Sequence, residues 1–166
     1  KVKKCTARDI EILTKLALAH IYGKNKREDK GIKYALKAKE IALLLVDKKS
    51  GKEQYPDIYL ALGDIYMSKN DGSNAITNYN RALYINPKSA ISQIKIGHIY
   101  LRAKNLNESR RFFEDAKKAD STFAPVYLGL AEVYTVARQY KFAKDNYRIF
   151  LNLSGDNTPA KVKYAT

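Results

Sequence analysis

Cysteine and long apolar runs are scarce, and each shortage excludes a class of protein. The single cysteine, Cys5, cannot build a disulfide framework within the chain or a cysteine-based zinc site. The longest apolar run, residues 41–46, is far shorter than the roughly 18 residues that a membrane-spanning helix needs. We therefore predict no transmembrane segment and no disulfide-stapled scaffold in these 166 residues.

Catalytic motifs are missing as well. Ser50-Gly51-Lys52 lacks the upstream glycine and the spacing of a phosphate-binding loop, and no zinc-protease, nucleophile-elbow or dinucleotide-binding pattern occurs. The carboxylate pairs at residues 28–29 and 114–115 stand among lysines and arginines, which is typical of a solvated helix face. The sequence predicts a protein that is not an enzyme and that uses no cofactor.

Acidic residues are outnumbered, with 17 Asp and Glu against 31 Lys and Arg, and the formal net charge is +14. A charge of this size suggests a nucleic-acid partner, so its distribution matters. Residues 1–55 carry the largest excess of positive charge, whereas residues 56–89 contain three charges of each sign. The excess is concentrated at one end of the chain.

A repeat is the most informative feature that is present. The segment Leu62-Gly63-Asp64-Ile65-Tyr66 recurs at residues 96–100 and 130–134, with a spacing of 34 residues, and an earlier copy occupies residues 18–22. A second set of small and large residues recurs in the same register. These are Gly31, Ala35 and Ala38; Ala75, Tyr79 and Ala82; Ser109, Phe113 and Ala116; and Ala143, Tyr147 and Phe150.

The pattern agrees with paired helices. Apolar or small residues at helical spacing form one buried face, and the small residues Gly63, Gly97, Ala19 and Ala131 lie where two helices approach closely. Pro87 ends a helix, because proline cannot continue a ladder of backbone hydrogen bonds. One helix pair cannot bury its own apolar face, but several stacked pairs can.

Residues 56–89, which close with Asn86-Pro87, resemble the tetratricopeptide repeat, a helix–turn–helix unit. The resemblance implies an all-α, right-handed superhelical solenoid. We expect one domain over residues 1–166, with repeats at about 12–45, 56–89, 90–123 and 124–157 and the start of a further helix at 158–166. That unfinished unit suggests an excerpt from a longer array.

In this family the first helices line a concave groove, and the resemblance therefore implies a site for a protein or peptide partner. The predicted groove residues are Leu16, His20, Leu60, Asp64, Met67, Ile94, Lys95, His98, Leu101, Arg102, Leu128 and Glu132. Apolar rows along such a groove suit a helix or an extended peptide. The alternative is that a neighbouring segment or further repeats cover these rows.

The sequence also contains features that a metal ion, a nucleic acid or a second copy of the chain would use. A metal array of His20, Asp64 and His98 is conceivable, but solvated groove residues are the favoured interpretation, and no metal site is predicted. Nucleic acid is the alternative partner, although most lysines fall on second helices, away from the groove. Self-association through the C-terminal end is also considered, because Phe150 and Tyr164 would otherwise face water.

The compartment is open to two interpretations. The long first unit and the ending Leu153-Ser154-Gly155 are similar to bacterial envelope-associated repeat proteins. This weaker resemblance implies a periplasmic or envelope location, in secretion or assembly. A cytoplasmic adaptor is the alternative.

Overall fold

A computed structural model describes residues 6–23, 27–44 and 54–155 of the chain, and these residues form helices joined by turns. The segment 158–166, where a further helix is expected, lies outside the described residues. The helices of the described part are α1 (Ala7–Tyr22), α2 (Glu28–Leu44), α3 (Pro56–Ser68), α4 (Gly72–Ile85), α5 (Ala90–Arg102), α6 (Leu106–Ala119), α7 (Ala124–Val136) and α8 (Tyr140–Ser154).

Local sequence explains where several helices begin. Thr6 and Asp9 form a capping box at the start of α1, and the side chains of Asp71 and Asn105 accept hydrogen bonds from backbone N–H groups in the first turns of α4 and α6. These bonds satisfy donors that the first turn of a helix leaves free. Pro56 is tolerated at the start of α3 because a first-turn residue needs no backbone N–H.

Three hairpin turns share one backbone conformation. Asn70, Lys104 and Arg138 each have a φ of 58–59° and occupy the same place in their repeats. The backbone N–H of each donates to the carbonyl three residues earlier, and the N–H of the following residue donates to the carbonyl five residues earlier. The same bonds therefore close all three turns.

The helices fall into two compact units, divided between Pro87 and Lys88. In the first unit α1 pairs with α2 and α3 pairs with α4, and α3 also packs against α1 and α2. Its core contains mainly aliphatic residues and alanines. The members include Ile10, Ala17, Ile21, Ala35, Ala38, Ile41, Ile58, Leu62, Ile65 and Ala82. The predicted single domain stays a prediction.

In the second unit α5 pairs with α6, α7 pairs with α8, and α7 packs against both α5 and α6. Phe113 on α6 is fully buried at its centre. The Phe113 ring lies against Gly97 of α5 and Gly129 of α7, where a β-carbon would meet ring atoms. Glycine at both positions lets two first helices approach the same aromatic ring.

The structure corrects one prediction about the C-terminal end. Phe150 was expected to face water, but its side chain is only 8% exposed and belongs to the buried cluster of the second unit. A phenyl group at this position fills core volume that alanine fills at Ala82 and Ala116. Tyr164 lies outside the described residues, so self-association stays a prediction that light scattering of the full chain would check.

Candidate partner-binding site

Three predicted apolar groove residues lie on the first helices of the first unit. Leu16 on α1 is 40% exposed, whereas Leu60 and Met67 on α3 are half-buried. Because α1 and α3 are neighbours, one face of this unit carries partly accessible apolar groups from both helices. Exposed apolar surface of this kind is suited to a partner.

Asp64 connects three helices of the first unit. The Tyr22 hydroxyl donates to Asp64 Oδ2 at 2.9 Å, and the Tyr79 hydroxyl donates to Asp64 Oδ1 at 2.6 Å. The Tyr22 side chain is 70% exposed, but desolvation of its hydroxyl, together with the Asp64 charge and hydrogen bond, raises the pKa of Tyr22 to about 12. Burial and the same hydrogen bond raise the pKa of Tyr79. Asp64 therefore holds α1, α3 and α4 together and has less capacity left for a partner than its groove position suggested.

His20 is also engaged within the first unit. Its ring stacks on the Tyr34 ring of α2, with the ring centroids 5.4 Å apart and the planes 4° apart. The contact orients the imidazole of a half-buried side chain. Within the described residues, no three side chains from His, Cys, Asp and Glu come together as metal ligands would.

The second unit displays most of its predicted residues, but Ile94 is an exception. Ile94 is only 7% exposed and belongs to the buried cluster that contains Phe113 and Tyr127. The prediction that Ile94 is displayed to a partner is therefore wrong. Its neighbour Lys95 is half-buried, and Arg102 at the end of α5 is exposed.

His98 and Glu132 face each other on neighbouring first helices of the second unit. His98 Nδ1 lies 3.8 Å from Glu132 Oε2, and the His98 ring contacts the edge of Phe113 at a centroid distance of 5.0 Å. Burial lowers the pKa of His98, the nearby Glu132 carboxylate opposes that shift, and Lys95 reinforces it. The imidazole is thus biased toward its neutral form.

An open cleft of about 630 Å³ lies in the second unit, between α5, α7 and α8. The predicted residues Leu101 and Glu132 line it, and Leu128 is half-buried nearby on α7. The remaining lining residues are Thr135, Val136, Tyr140, Ala143, Lys144 and Tyr147. The walls are therefore largely apolar and aromatic, with one carboxylate and one ammonium group.

Sequence reasoning missed the part of this cleft that α8 supplies. Tyr140 and the nearby Phe142 are large and exposed, yet only first helices were assigned to the groove. A comparison of the repeats position by position could have found them, because the preceding repeats have Gly72 and Leu106 where this repeat has Tyr140.

The class of protein follows from this arrangement of helical hairpins. A TPR repeat model matches residues 63–104, and a tetratricopeptide repeat model matches residues 14–43 and 90–123. Together these matches cover more than half of the sequence, and the chain belongs to the tetratricopeptide repeat family. The predicted fold class, an all-α solenoid of helix–turn–helix repeats, is confirmed.

Two proteins with similar sequences come from distantly related organisms. Tetratricopeptide repeat protein 21B of Mus musculus is 29% identical over 133 residues, which is 80% of this chain and 9% of that protein. Cellulose synthase operon protein C of Escherichia coli K12 is 31% identical over 84 residues, which is 42% of this chain and 7% of that protein. The chain thus spans less than a tenth of the length of either relative.

Two solved structures have the same fold at low sequence identity. The crystal structure of MamA gives a TM-score of 0.68 at 16% identity, with 95% of this chain and 81% of that chain covered. The crystal structure of the APC/C hetero-tetramer Cut9–Hcn1 gives a TM-score of 0.72 at 18% identity, with 92% of this chain and 28% of that chain covered. None of the helices in the described part of this chain combines the length and the apolar character that a bilayer crossing requires.

Proposed function

We propose that this chain is a protein–protein interaction scaffold that binds a peptide or protein segment on the surface formed by its first helices. The tetratricopeptide repeat fold supports an interaction role. The observation that carries the proposal is the open cleft lined by Leu101, Glu132 and Thr135, three residues on the first helices α5 and α7. A concave, mostly apolar surface with few polar groups is the usual form of a binding site.

The polar groups of the first helices support binding rather than catalysis. Asp64 accepts two tyrosine hydroxyls, and His98 is biased toward its neutral form beside Glu132. Asp64 therefore holds helices together, and the exposed part of the His98 and Glu132 side chains can give direction to a bound segment. Orientation of a bound segment requires no more than such fixed donors and acceptors.

Photo-crosslinking tests this proposal. A photoreactive phenylalanine analogue replaces Thr135, which is exposed and lines the cleft, in the full-length protein within its native cells. The matched control carries the analogue at Arg110, which is exposed on the second helix α6. We expect protein adducts at Thr135 and few at Arg110. Equal protein crosslinking at both positions, or adducts with nucleic acid at Thr135, would contradict the proposal.

An envelope location belongs to the same proposal, with a cytoplasmic adaptor as the alternative. Its support is the match of 42% of this chain to cellulose synthase operon protein C, together with the weak resemblance of the Leu153-Ser154-Gly155 ending. Fractionation of native cells with an antibody against the full-length protein tests it. Recovery in the cytoplasmic fraction alone would refute the envelope location.

A further inference from the structure

The last hairpin differs from the preceding ones along its turn. Val136, Tyr140 and Phe142, which we call the α7–α8 edge, are 54%, 65% and 54% exposed. The corresponding residues of the two preceding repeats are mostly small or polar. They are Ser68, Gly72 and Asn74 in one repeat and Arg102, Leu106 and Glu108 in the other. The apolar edge is therefore a property of this hairpin and is not required by the repeat.

The edge is continuous with the cleft of the second unit. Val136 and Tyr140 line that cleft, and the Phe142 ring lies 5.4 Å from the Tyr134 ring. The cleft volume of about 630 Å³ is within the range of peptide and small-molecule pockets. A large apolar side chain of a partner can therefore enter the cleft while the rest of that partner lies along the edge.

Positive charge alternates with the apolar side chains of this hairpin. Arg138, Lys141 and Lys144 are exposed, and none of them forms an ion pair with another described residue. Of the two carboxylates nearby, Asp145 lies 3.7 Å from Arg148, and Glu132 lies 3.8 Å from His98. The last hairpin thus offers three exposed cations that form no ion pair with the described residues, and one of them, Lys144, lines the cleft.

Helix α6 shows that this arrangement is not general in the chain. Its cations Arg111, Lys117 and Lys118 each lie within 4.0 Å of a carboxylate on the same helix. Three of the four basic groups of α6 therefore lie beside a carboxylate, with Arg110 as the exception, whereas Arg138, Lys141 and Lys144 of the last hairpin form no such pair with a described residue. Opposite charge on a partner directs encounter and sets its register.

We infer that the α7–α8 edge binds an acidic peptide segment, with a large apolar side chain in the cleft and Asp or Glu carboxylates on Arg138, Lys141 and Lys144. The inference rests on the proposed function and adds the chemistry of the partner. A second copy of this chain is disfavoured because a self-complementary contact would bring the same three cations together. A nucleic acid is the competing anionic partner, and the oligouridylate assay below tests it.

The first experiment selects ligands without assuming their sequence. Random peptides of about 12 residues, a length that spans such a cleft, are selected on the full chain and the bound set is sequenced. We expect enrichment of peptides that combine several carboxylates with at least one large apolar residue. Enrichment of basic or uncharged peptides, or no enrichment, would overturn the inference.

The second experiment assigns the selected peptides to the edge. Val136→Ser plus Tyr140→Ser removes exposed apolar groups without touching the core, and Ile12→Ser plus Leu36→Ser, at similarly exposed sites in the first unit, is the control. Binding should weaken by about tenfold or more in the edge variant alone, as expected when a central anchor contact is lost. Equal affinity in both variants would place the peptides elsewhere and refute the assignment.

A charge reversal separates local attraction from net charge. Lys141→Glu plus Lys144→Glu changes the edge, and Lys33→Glu plus Lys37→Glu makes the same change of formal charge on exposed positions of α2. Only the edge reversal should weaken acidic peptides strongly, and added salt should reduce that difference by screening. Equal losses in both variants would show that net charge, and not this edge, attracts the peptides.

Competing occupants give distinct results. A dimer in light scattering that Tyr140→Ser dissolves would identify a second copy, and tight binding of oligouridylate that Lys141→Glu abolishes would identify RNA. Either result would overturn the acidic-peptide inference. Adducts of Thr135 with a different protein in native cells would show that the proposed scaffold function survives that failure.

Discussion

Replacement of Gly129 by alanine tests how the second unit is packed. The glycine lies on α7 against the Phe113 ring, and a β-carbon there would overlap three ring carbons. Gly97 on α5 contacts the same ring, but a β-carbon at that position would lie 3.0 Å from the nearest ring atom. Both substitutions therefore place a methyl group against the Phe113 ring, and the steric overlap is more severe at position 129 than at position 97.

The expected magnitudes follow from two opposing effects. Alanine stabilises a helix interior by about 1 kcal/mol relative to glycine, whereas overpacking a core costs about 1–3 kcal/mol. Because Phe113 is fully buried, its ring cannot swing into solvent to relieve the overlap. We expect Gly129→Ala to lower the free energy of unfolding by about 1–2 kcal/mol, and Gly97→Ala to leave it nearly unchanged.

Urea unfolding followed by helical circular dichroism measures both variants. A double-mutant cycle with Phe113→Leu gives the sharper result, because a smaller side chain leaves room for the added methyl group. The cost of Gly129→Ala should shrink by about 0.5–3 kcal/mol in the Phe113→Leu background. A Gly129→Ala protein as stable as the parent, or strictly additive changes in the cycle, would refute the account of a shared ring.

The remaining predictions concern titration and hydrogen bonding. Burial lowers the pKa of His98 below its usual 6.5, so the unfolded chain takes up its proton first and stability falls as the pH drops below about 6.5. His98→Gln should therefore reduce the change of the urea midpoint between about pH 7 and 5. The same pH dependence of the midpoint in the variant and the parent would contradict this prediction. The folded Tyr22 phenol keeps its proton up to about pH 12, so stability should fall as the pH rises from about 10 to 12. Absorbance titration should show that step shifted downward in Asp64→Asn, and an identical titration would exclude the Asp64 contribution. Tyr79→Phe should lower the free energy of unfolding by about 1–3 kcal/mol, because Asp64 loses a donor; no change in the urea midpoint would refute the bond's role.

The repeat architecture could be predicted because its determinants are local. The recurring Leu-Gly-x-x-Tyr segments place small residues at helix crossings, and the structure shows Gly63 against Tyr79 and Gly97 against Phe113. Helical periodicity is repeated in every unit, so an ambiguous helix assignment in one repeat is resolved by comparison with the other repeats. Hairpin identity and order therefore follow from the sequence.

The candidate site could be predicted only in part, because repeat position determines a face and does not determine exposure. Ile94 and Leu128 occupy the same repeat position, yet Ile94 is buried and Leu128 is half-buried. Asp64 appeared free in the sequence, since the approach of Tyr22 and Tyr79 depends on how three helices pack. Contacts of this kind depend on the volume and reach of distant side chains, which no local pattern encodes.

The shared closure of the three turns at Asn70, Lys104 and Arg138 has a consequence for how such a chain can evolve. Left-handed backbone at one fixed place per hairpin makes the loop length intolerant of deletion, since a residue lost there would rotate the following helix by about 100°. Asp71 and Asn105 beside the turns also cap the following helices, whereas exposed residues such as Val136 and Tyr140 carry no such constraint. Ligand preference can thus diverge through point substitution at hairpin tips, while insertions and deletions are confined to the junctions between repeats.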